Sequence, residues 1–243
     1  MKNAIIVGAS SGIASVLVAD GYNLFLIARR IDRLRQLQNE LGDRVQYQQG
    51  DVTHCVQIMD TLREAFCKMG HVDLVVQCAG IGEINANLNW HPELTTIEVN
   101  VLGFTAVVNA AIQAFLRQGS GHLVNISSIA SLRGSAEAPA YNASKSFQSN
   151  YMEGLLLKAR KSRLPIVITD IQPGFVNTAM AKGDGLFWIA SPQKVAAQIY
   201  RAIQKRRSHA YVTRRWRFVA WFLKYAPNWL LCRMVQHNVY YEK

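Results

Sequence analysis

The stretch Asn3-Ala-Ile-Ile-Val-Gly8-Ala-Ser-Ser-Gly12-Ile-Ala14 decides the fold class of this chain. Its first five residues have the pattern of a short buried strand that stops at Gly8, and residues 10–20 are typical of a helix of small side chains. In open α/β sheets, a strand, a glycine turn and a helix in this order bind a pyrophosphate on backbone N–H groups at the helix N-terminus. We therefore predict a nucleotide loop, with Ser10 and Ser11 as added hydroxyl donors. A plain tight turn is the alternative.

The alternation of strand and helix continues along the chain. Strands are predicted at residues 22–28, 45–48, 72–77, 122–126, 164–171 and 210–213, and helices at residues 31–41, 53–69, 94–117, 141–161 and 192–206. Strands that alternate with helices imply right-handed crossovers and hence a parallel sheet. The sequence therefore predicts an α/β fold with a single-domain, doubly wound parallel sheet.

Composition excludes several classes of protein. The 243 residues are 50% hydrophobic and 18% charged, which is not the composition of a disordered, collagen-like or coiled-coil chain. No unbroken apolar run reaches the roughly 18 residues of a membrane span, and the run after Met1-Lys2 is too short for a signal peptide, so we expect a cytoplasmic protein. The four cysteines form no CxxC pair and the six histidines form no HExxH or HxxxH pair. We predict reduced thiols and no metal site.

The positive charge is concentrated near the C-terminus. The formal net charge is +11, and residues 201–243 hold ten Lys or Arg and one acidic residue. We predict a domain over residues 1–213 and a basic, aromatic, helical tail over residues 214–243. Three interpretations of the tail are open: an interfacial helix on a membrane surface, a helix packed on the domain or on a partner subunit, and a nucleic-acid-binding segment. The last is disfavoured because no known DNA- or RNA-binding fold surrounds the basic residues.

Two arginines follow the second predicted strand. Arg29 and Arg30 stand where an acidic residue would instead accept hydrogen bonds from an adenosine ribose. Arginine at this place favours a ribose 2′-phosphate and therefore predicts NADP as the cofactor. The alternative is that the pair simply begins an exposed helix.

Tyr141 and Lys145 are four residues apart on a predicted helix, so their side chains share one face. A nearby ammonium favours phenolate over phenol, and we expect it to lower the tyrosine pKa from about 10 toward the range of an acid/base catalyst. Ser128 comes thirteen residues before Tyr141, just after a buried strand, and Pro173-Gly174 follow the next strand. This combination is more specific than the Tyr and Lys pair alone.

With these motifs in this order over about residues 3–213, the chain resembles the classical short-chain dehydrogenase/reductase family, which has a Rossmann-type sheet. The resemblance implies that Ser128 hydrogen-bonds the substrate oxygen, Tyr141 transfers its proton and Lys145 holds the nicotinamide ribose. It also implies that Asn100, within Glu98-Val-Asn-Val-Leu-Gly103, supports a proton-relay water.

The resemblance also implies how the cofactor is held. Asp51-Val52 matches the pair that contacts adenine, and Pro173-Gly-Phe-Val-Asn-Thr178 matches the segment that holds the nicotinamide carboxamide. The implied cofactor-binding residues are Gly8, Ser10, Ser11, Gly12, Ile13, Arg29, Arg30, Asp51, Val52, Ala79, Gly80, Tyr141, Lys145, Pro173, Gly174, Val176 and Thr178.

Two stretches depart from the family pattern. Ala14 replaces the last glycine of the loop, and the stretch from Gly12 to Gly21 is about one helical turn short. Gln77-Cys-Ala-Gly80 replaces Asn-Asn-Ala-Gly, which removes an amide that braces the sheet, and we expect Cys78 to be a small buried apolar residue. The alternative to an enzyme is therefore a nucleotide-binding module of the same fold with weak or no catalysis.

The residues between Thr178 and Ser191 stand where the family places its substrate lid. Gly183 and Gly185 are candidate hinges. An apolar pocket, or alternatively core packing, is predicted for Met180, Leu186, Phe187 and Trp188. We predict an NADP-dependent oxidoreductase that interconverts a carbonyl and a secondary alcohol on an apolar, lipid-like substrate. The family commonly pairs its two long helices, which implies a homo-oligomer, and the tail predicts peripheral contact with a membrane and none with nucleic acid.

Overall fold

The computed structural model describes residues 1–8, 11–177, 187–230 and 232–233. Several residues with predicted roles lie outside the described residues, namely Ser10, Thr178, Met180, Gly183, Gly185 and Leu186.

The described strands form one seven-stranded parallel sheet in the order β3-β2-β1-β4-β5-β6-β7. The strands are β1 (Lys2–Val7), β2 (Tyr22–Ala28), β3 (Val45–Gln49), β4 (Leu74–Gln77), β5 (Gly121–Ile126), β6 (Ile166–Pro173) and β7 (His209–Val212). The chain winds outward from β1 in one direction and from β4 in the other, so helices cover both faces. The predicted doubly wound α/β class is confirmed.

Eight α-helices connect or follow the strands in the described part of residues 11–225. They are α1 (Ser11–Ala19), α2 (Ile31–Leu41), α3 (Cys55–Met69), α4 (Trp90–Ile97), α5 (Phe104–Gln118), α6 (Pro139–Ser162), α7 (Pro192–Gln204) and α8 (Trp216–Tyr225). The predicted long helix over residues 94–117 is in fact two helices, because a π-helical turn at Glu98–Gly103 joins α4 to α5. At Gly103 an added Cβ would lie 2.8 Å from the Val52 backbone oxygen, so this turn needs glycine to approach the end of β3.

The core has two layers, one on each face of the sheet. Ile5 and Val7 of β1 pack with α3, α5 and α6, whereas Ala4 and Ile6 pack with α1, α2 and α7. This alternation follows from the two-residue period of a strand whose two faces are both buried.

Taken together, α4, the π-helical turn and α5 span Trp90–Gln118, a helical segment long and apolar enough to cross a membrane by length and composition, with a mean hydropathy of 1.7. It qualifies although the sequence has no unbroken apolar run of that length. Since 67% of the apolar window is buried inside the protein, this helix has the character of a core helix.

Candidate active site

The first turn lies at the carboxyl end of β1. Gly8 has a φ of +83°, and a Cβ added to it would lie 2.3 Å from the backbone nitrogen of Ala79. Only glycine fits this close approach of two strand ends. Helix α1 begins at Ser11 and Gly12. A Cβ on Gly12 would lie 3.2 Å from the Cβ of Ala196 on α7.

Ala14, which stands where the family pattern has a glycine, is accommodated by packing. Helix α1 spans nine residues, and both Ile13 and Ala14 are buried among the side chains of β2 and α7. The shortened helix therefore still covers the sheet next to the first turn.

Three of the four predicted catalytic residues meet at the loop that follows β4. A Cβ added to Gly80 would lie 3.2 Å from Oδ1 of Asn100 and 3.3 Å from Nζ of Lys145. A Cβ added to Gly82 would lie 3.0 Å from the ring of Tyr141. The π-helical turn supplies Asn100, and α6 supplies both Tyr141 and Lys145. Because these glycines lack side chains, the loop can lie directly against the polar groups.

Ser128 completes this set from the carboxyl end of β5. Its Oγ accepts a hydrogen bond of 3.1 Å from the backbone N–H of Ala130. Burial raises the pKa of Tyr141, and a hydrogen bond with Ser128 opposes that rise. The two hydroxyl groups are therefore adjacent, as a shared contact with one substrate oxygen requires.

The expected lowering of the Tyr141 pKa by Lys145 is not met, because burial outweighs other influences on the phenol. The Nζ of Lys145 lies 5.9 Å from the centroid of the Tyr141 ring. It donates instead to the backbone oxygen of Ile126 at 3.3 Å and to Oε1 of Gln148 at 3.0 Å. Burial lowers the pKa of Lys145 to about 8, although Asp170 and Cys78 act in the opposite direction.

The side chain of Asn100 braces the loop after β4. Its Oδ1 accepts from the backbone N–H of Ile81 at 2.9 Å, and its Nδ2 donates to the backbone oxygen of Ile81 at 2.8 Å and to Oγ of Ser144 at 3.0 Å. These bonds tie the loop after β4 to the π-helical turn and to α6. Gln77 contributes a further hydrogen bond of 3.1 Å from its Nε2 to the backbone oxygen of Ala79.

Cys78 is a half-buried free thiol that packs against the core. Burial raises the pKa of this thiol to about 12, while Lys145 acts to lower it. The thiol is therefore protonated near neutral pH, which agrees with a packing role.

Gln148 is a buried site residue that the family motifs do not single out. It accepts from Lys145, and its Nε2 donates to the backbone oxygen of Asn100 at 2.8 Å. The signal in the sequence is its spacing, because a polar residue three positions after Lys145 shares the same helix face.

A basic cavity opens beyond the carboxyl end of β2. Its volume is about 480 Å³, and its lining includes Arg29, Arg30, Ile31, Asp32, Arg33, Gln36 and Gln49. Arg29 also lies 4.0 Å from Oδ2 of Asp51. This donor set fits a phosphate ester, as predicted from the two arginines.

Asp51 and Val52 follow β3 beside this cavity. Partial burial acts to raise the pKa of Asp51, but hydrogen bonds from Thr53 and the charge of Arg29 outweigh it, so the pKa lies below its ordinary value. Val52 is buried against Gly103 of the π-helical turn.

The segment after β6 is packed against the start of the tail. The backbone N–H of Gly174, which follows Pro173, donates to the backbone oxygen of Val212 at 2.7 Å. A Cβ added to Gly174 would lie 1.9 Å from Cε2 of Trp216. Val176 forms an isolated parallel bridge with Ala190. The segment expected to contact nicotinamide is thus supported by the first residue of α8.

An aromatic cluster surrounds Trp216. Its ring centroid lies 5.3 Å from that of Phe175, 5.1 Å from that of Phe187 and 6.0 Å from that of Trp188. Phe187 and Trp188 remain partly exposed. The end of the predicted lid and the start of the tail therefore form one apolar surface.

Together these residues form a buried cluster of polar and titratable side chains at the carboxyl edge of a sheet, which also carries a basic cavity and an aromatic cluster. A family model described as short chain dehydrogenase matches residues 2–185. An uncharacterized oxidoreductase of Myxococcus xanthus is 35% identical over 188 residues, which cover 74% of each chain.

Solved structures share the fold. A 3-ketoacyl-(acyl-carrier-protein) reductase from Brucella melitensis complexed with NADH has a TM-score of 0.78 at 21% identity, covering 88% of this chain and 98% of that one. An actinorhodin polyketide ketoreductase with NADPH has a TM-score of 0.77 at 25% identity, covering 87% and 95%.

Proposed function

Because this chain belongs to the short-chain dehydrogenase family, we propose that it is an NADP-dependent oxidoreductase that interconverts a carbonyl and a secondary alcohol. The observation that carries this proposal is the meeting of Tyr141, Lys145 and Asn100 at the loop after β4, with Ser128 beside the tyrosine hydroxyl. The bound cofactor supplies the hydride chemistry, so the protein must orient the substrate carbon and move one proton.

Tyr141 is the acid/base group of this proposal. In the reductive direction its hydroxyl gives a proton to the substrate oxygen and becomes a phenolate, and in the oxidative direction the phenolate takes the proton back. Ser128 hydrogen-bonds the same oxygen and keeps the substrate in line with Tyr141. The Lys145 ammonium, 5.9 Å from the centroid of the Tyr141 ring, would attract the phenolate once it forms, although burial keeps the pKa of the resting phenol above its ordinary value.

The residues at the edge of the sheet fit a dinucleotide with a 2′-phosphate. The backbone at Gly8 and the start of α1 would hold the pyrophosphate, Arg29 and Arg30 the 2′-phosphate, and Asp51 the adenine end. The observation that supports this fit is the glycine turn at Gly8, which ends β1 shortly before the N-terminus of α1. The similar ketoreductase structure contains NADPH, which also supports the proposal.

A Tyr141→Phe variant tests the mechanism. We expect the wild-type protein to oxidise NADPH with a carbonyl from a broad panel, and we expect the variant to bind NADPH with unchanged fluorescence titration but to lose turnover. Tyr47→Phe on β3 is the matched control and keeps full activity. Unchanged turnover in Tyr141→Phe contradicts the mechanism, whereas a wild-type protein that binds NADPH and reduces no carbonyl supports the nucleotide-binding module instead.

Arg29→Ser tests the choice of cofactor. Charge-assisted hydrogen bonds to phosphate contribute on the order of 1.5–3 kcal/mol each, so the variant is expected to bind NADPH at least about tenfold more weakly. Its affinity for NADH is expected to stay the same. Arg35→Ser, at an arginine of α2 that lies near Asp32, is the control. Equal affinity of the wild-type protein for NADH and NADPH would refute the NADP assignment.

We also propose that the substrate is apolar and that α8 contacts a membrane surface. The aromatic cluster of Phe175, Phe187, Trp188 and Trp216 supports the first part, because it places an apolar surface beside the segment after β6. Helix α8 supports the second part. Trp216 and Ala220 bury one side of it against the domain, and Phe218, Trp221 and Tyr225 are 62%, 67% and 65% exposed on other sides.

A homo-oligomer is the remaining part of the proposal. The two long helical regions that the family pairs carry exposed apolar side chains, with Leu102 on the π-helical turn and Phe147 and Leu157 on α6. A second copy of the chain could cover these residues, which supports an assembly through the π-helical turn and α6.

A further inference from the structure

The amide of Gln148 connects two parts of the site. Gln148 is only 1% exposed, its Oε1 accepts from Lys145 Nζ at 3.0 Å, and its Nε2 donates to the Asn100 backbone oxygen at 2.8 Å. The opposite orientation of the amide would turn its NH₂ group toward an ammonium and its oxygen toward a carbonyl. The chemistry of its two neighbours therefore determines how this side chain is held.

The π-helical turn explains why the Asn100 carbonyl can be reached from α6. In an α-helix the N–H of Phe104 would bond to the carbonyl four residues earlier, which is that of Asn100. Here the Phe104 N–H bonds to the carbonyls of Val99 and Val101. The turn thus releases the Asn100 oxygen from that bond, and Gln148 donates to it.

Lys145 has few acceptors. An ammonium has three N–H donors, and two of them bond to the Ile126 backbone oxygen and to Gln148. Within the described ranges, Gln148 is the only side chain that accepts a hydrogen bond from Lys145. The ionisable groups that face this ammonium are Tyr141 on α6, Cys78 after β4 and Asp170 on β6. A neutral amide, and no carboxylate, therefore holds it directly.

We propose that Gln148 is a positioning residue for the reaction assigned above: it holds the Lys145 ammonium and connects it to the Asn100 carbonyl. The inference rests on the proposed function and gives a role to a residue that the family motifs do not single out.

Two variants of similar size test this role. Gln148→Met and Gln148→Glu both lose the donor to Asn100, and they differ in what they offer Lys145. Met removes the acceptor, so the charged form is less favoured and the Lys145 titration is expected to move about one pH unit lower. Glu supplies a carboxylate, so the titration is expected to move about one unit higher.

The measurement is the pH titration of the lysine ε-carbon by NMR in cofactor-free protein labelled with ¹³C-lysine, with Lys145 assigned from Lys145→Arg. Since this readout needs no turnover, it separates failure of this inference from failure of the proposed activity. The alkaline limb of the kcat/KM profile is expected to follow the same two directions.

The control pair is Gln113→Met and Gln113→Glu, at an exposed glutamine on α5 that bonds only to Asn109 among the described residues. These variants are expected to leave the Lys145 titration unmoved. Shifts of the two Gln148 variants in the same direction, or no shift in either, would overturn the proposal. If Gln148→Met does not fold, Gln148→Glu alone tests the proposal. A Lys145 titration in that variant that does not move to higher pH contradicts the role of Gln148.

Discussion

Single residues of this protein titrate according to what surrounds them after folding. Lys145 and Asp170 are both buried ionisable groups, and burial lowers the pKa of the lysine and raises the pKa of the aspartate. Hydrogen bonds from Ser149, Ser127 and Asn125 oppose the shift at Asp170. Buried charges reduce stability unless they are paired or hydrogen-bonded. Buried ionisable groups such as Lys145 and Asp170 are therefore typical of functional sites.

His122 on β5 leads to a prediction about acid stability. It is buried, its Nε2 lies 2.7 Å from Oγ1 of Thr169, and that hydroxyl donates to the Arg207 carbonyl, so His122 is the donor in this pair. Burial lowers the pKa of His122 from 6.5 to about 4, with Arg206 acting in the same direction. Between these pH values the unfolded chain binds a proton at His122 that the folded protein does not.

Stability is therefore expected to fall as the pH falls from 6.5 to 4, by about 3 kcal/mol from this residue. Urea unfolding at several pH values measures it, and His122→Gln is expected to flatten this part of the pH dependence. His91→Gln, at an exposed position on α4, should keep the wild-type slope. An equal slope in His122→Gln and wild type would rule out this source of acid sensitivity.

At the scale of elements, α8 is attached to the domain at both ends. Trp216 covers Gly174 at its start. At its end, Arg133 donates from Nε to the Leu223 carbonyl at 2.6 Å and from Nη2 to the Ala226 carbonyl at 2.5 Å. These carbonyls lie at a helix C-terminus, where a cation is favourable. The helix therefore connects the loop after β5 with the segment after β6.

Gly174→Ala is expected to disturb this attachment. The new Cβ would overlap the Trp216 indole, so either the ring or the segment must move, at a cost of about 1–3 kcal/mol. Thermal and urea unfolding measure the loss, and NADPH affinity is expected to fall with it. Gly154→Ala on α6 is the matched control, since no atom lies within 4 Å of its Cβ, and is expected to stabilise by about 0.5–1 kcal/mol. If Gly174→Ala is as stable as wild type, Trp216 is not held against the segment.

At the scale of the whole molecule, the exposed side of α8 predicts binding to anionic vesicles. Co-sedimentation with liposomes that contain anionic lipid is expected at low salt and is expected to weaken with salt, since charges are screened over about 10 Å at 0.1 M. The double variant Trp221→Ser, Phe222→Ser is expected to bind much less. Val56→Ser, at an exposed apolar residue on α3, should bind like wild type. Wild-type protein that stays in the supernatant at low salt would remove the membrane proposal.

The assembly of the molecule is tested by light scattering. We expect a particle larger than the 27.2 kDa of one chain. Leu102→Glu and Leu157→Glu each place a charge on the expected interface and are expected to dissociate it. Val56→Glu on α3 should leave the assembly intact. A wild-type particle of single-chain mass speaks against the homo-oligomer.

Sequence alone was sufficient for the order of the elements. The class of the sheet follows from hydrophobic periodicity and glycine turns, which are local properties, and the shared face of Tyr141 and Lys145 follows from helical spacing. The π-helical turn at Glu98–Gly103 was not predicted, because its residues have the same apolar periodicity as an α-helix and the close approach to Val52 is a contact between distant segments.

Only the tertiary structure decided how the polar groups are paired. Helical spacing places Lys145 on the same helix face as Tyr141, but packing directs its ammonium to Ile126 and Gln148. Burial raises the pKa of Tyr141, which its sequence neighbours do not predict. The contact of Trp216 with Gly174 likewise joins residues far apart in the chain. The physical reason is that local periodicity determines which face a side chain occupies, whereas its hydrogen-bond partners and its desolvation depend on which other elements cover that face.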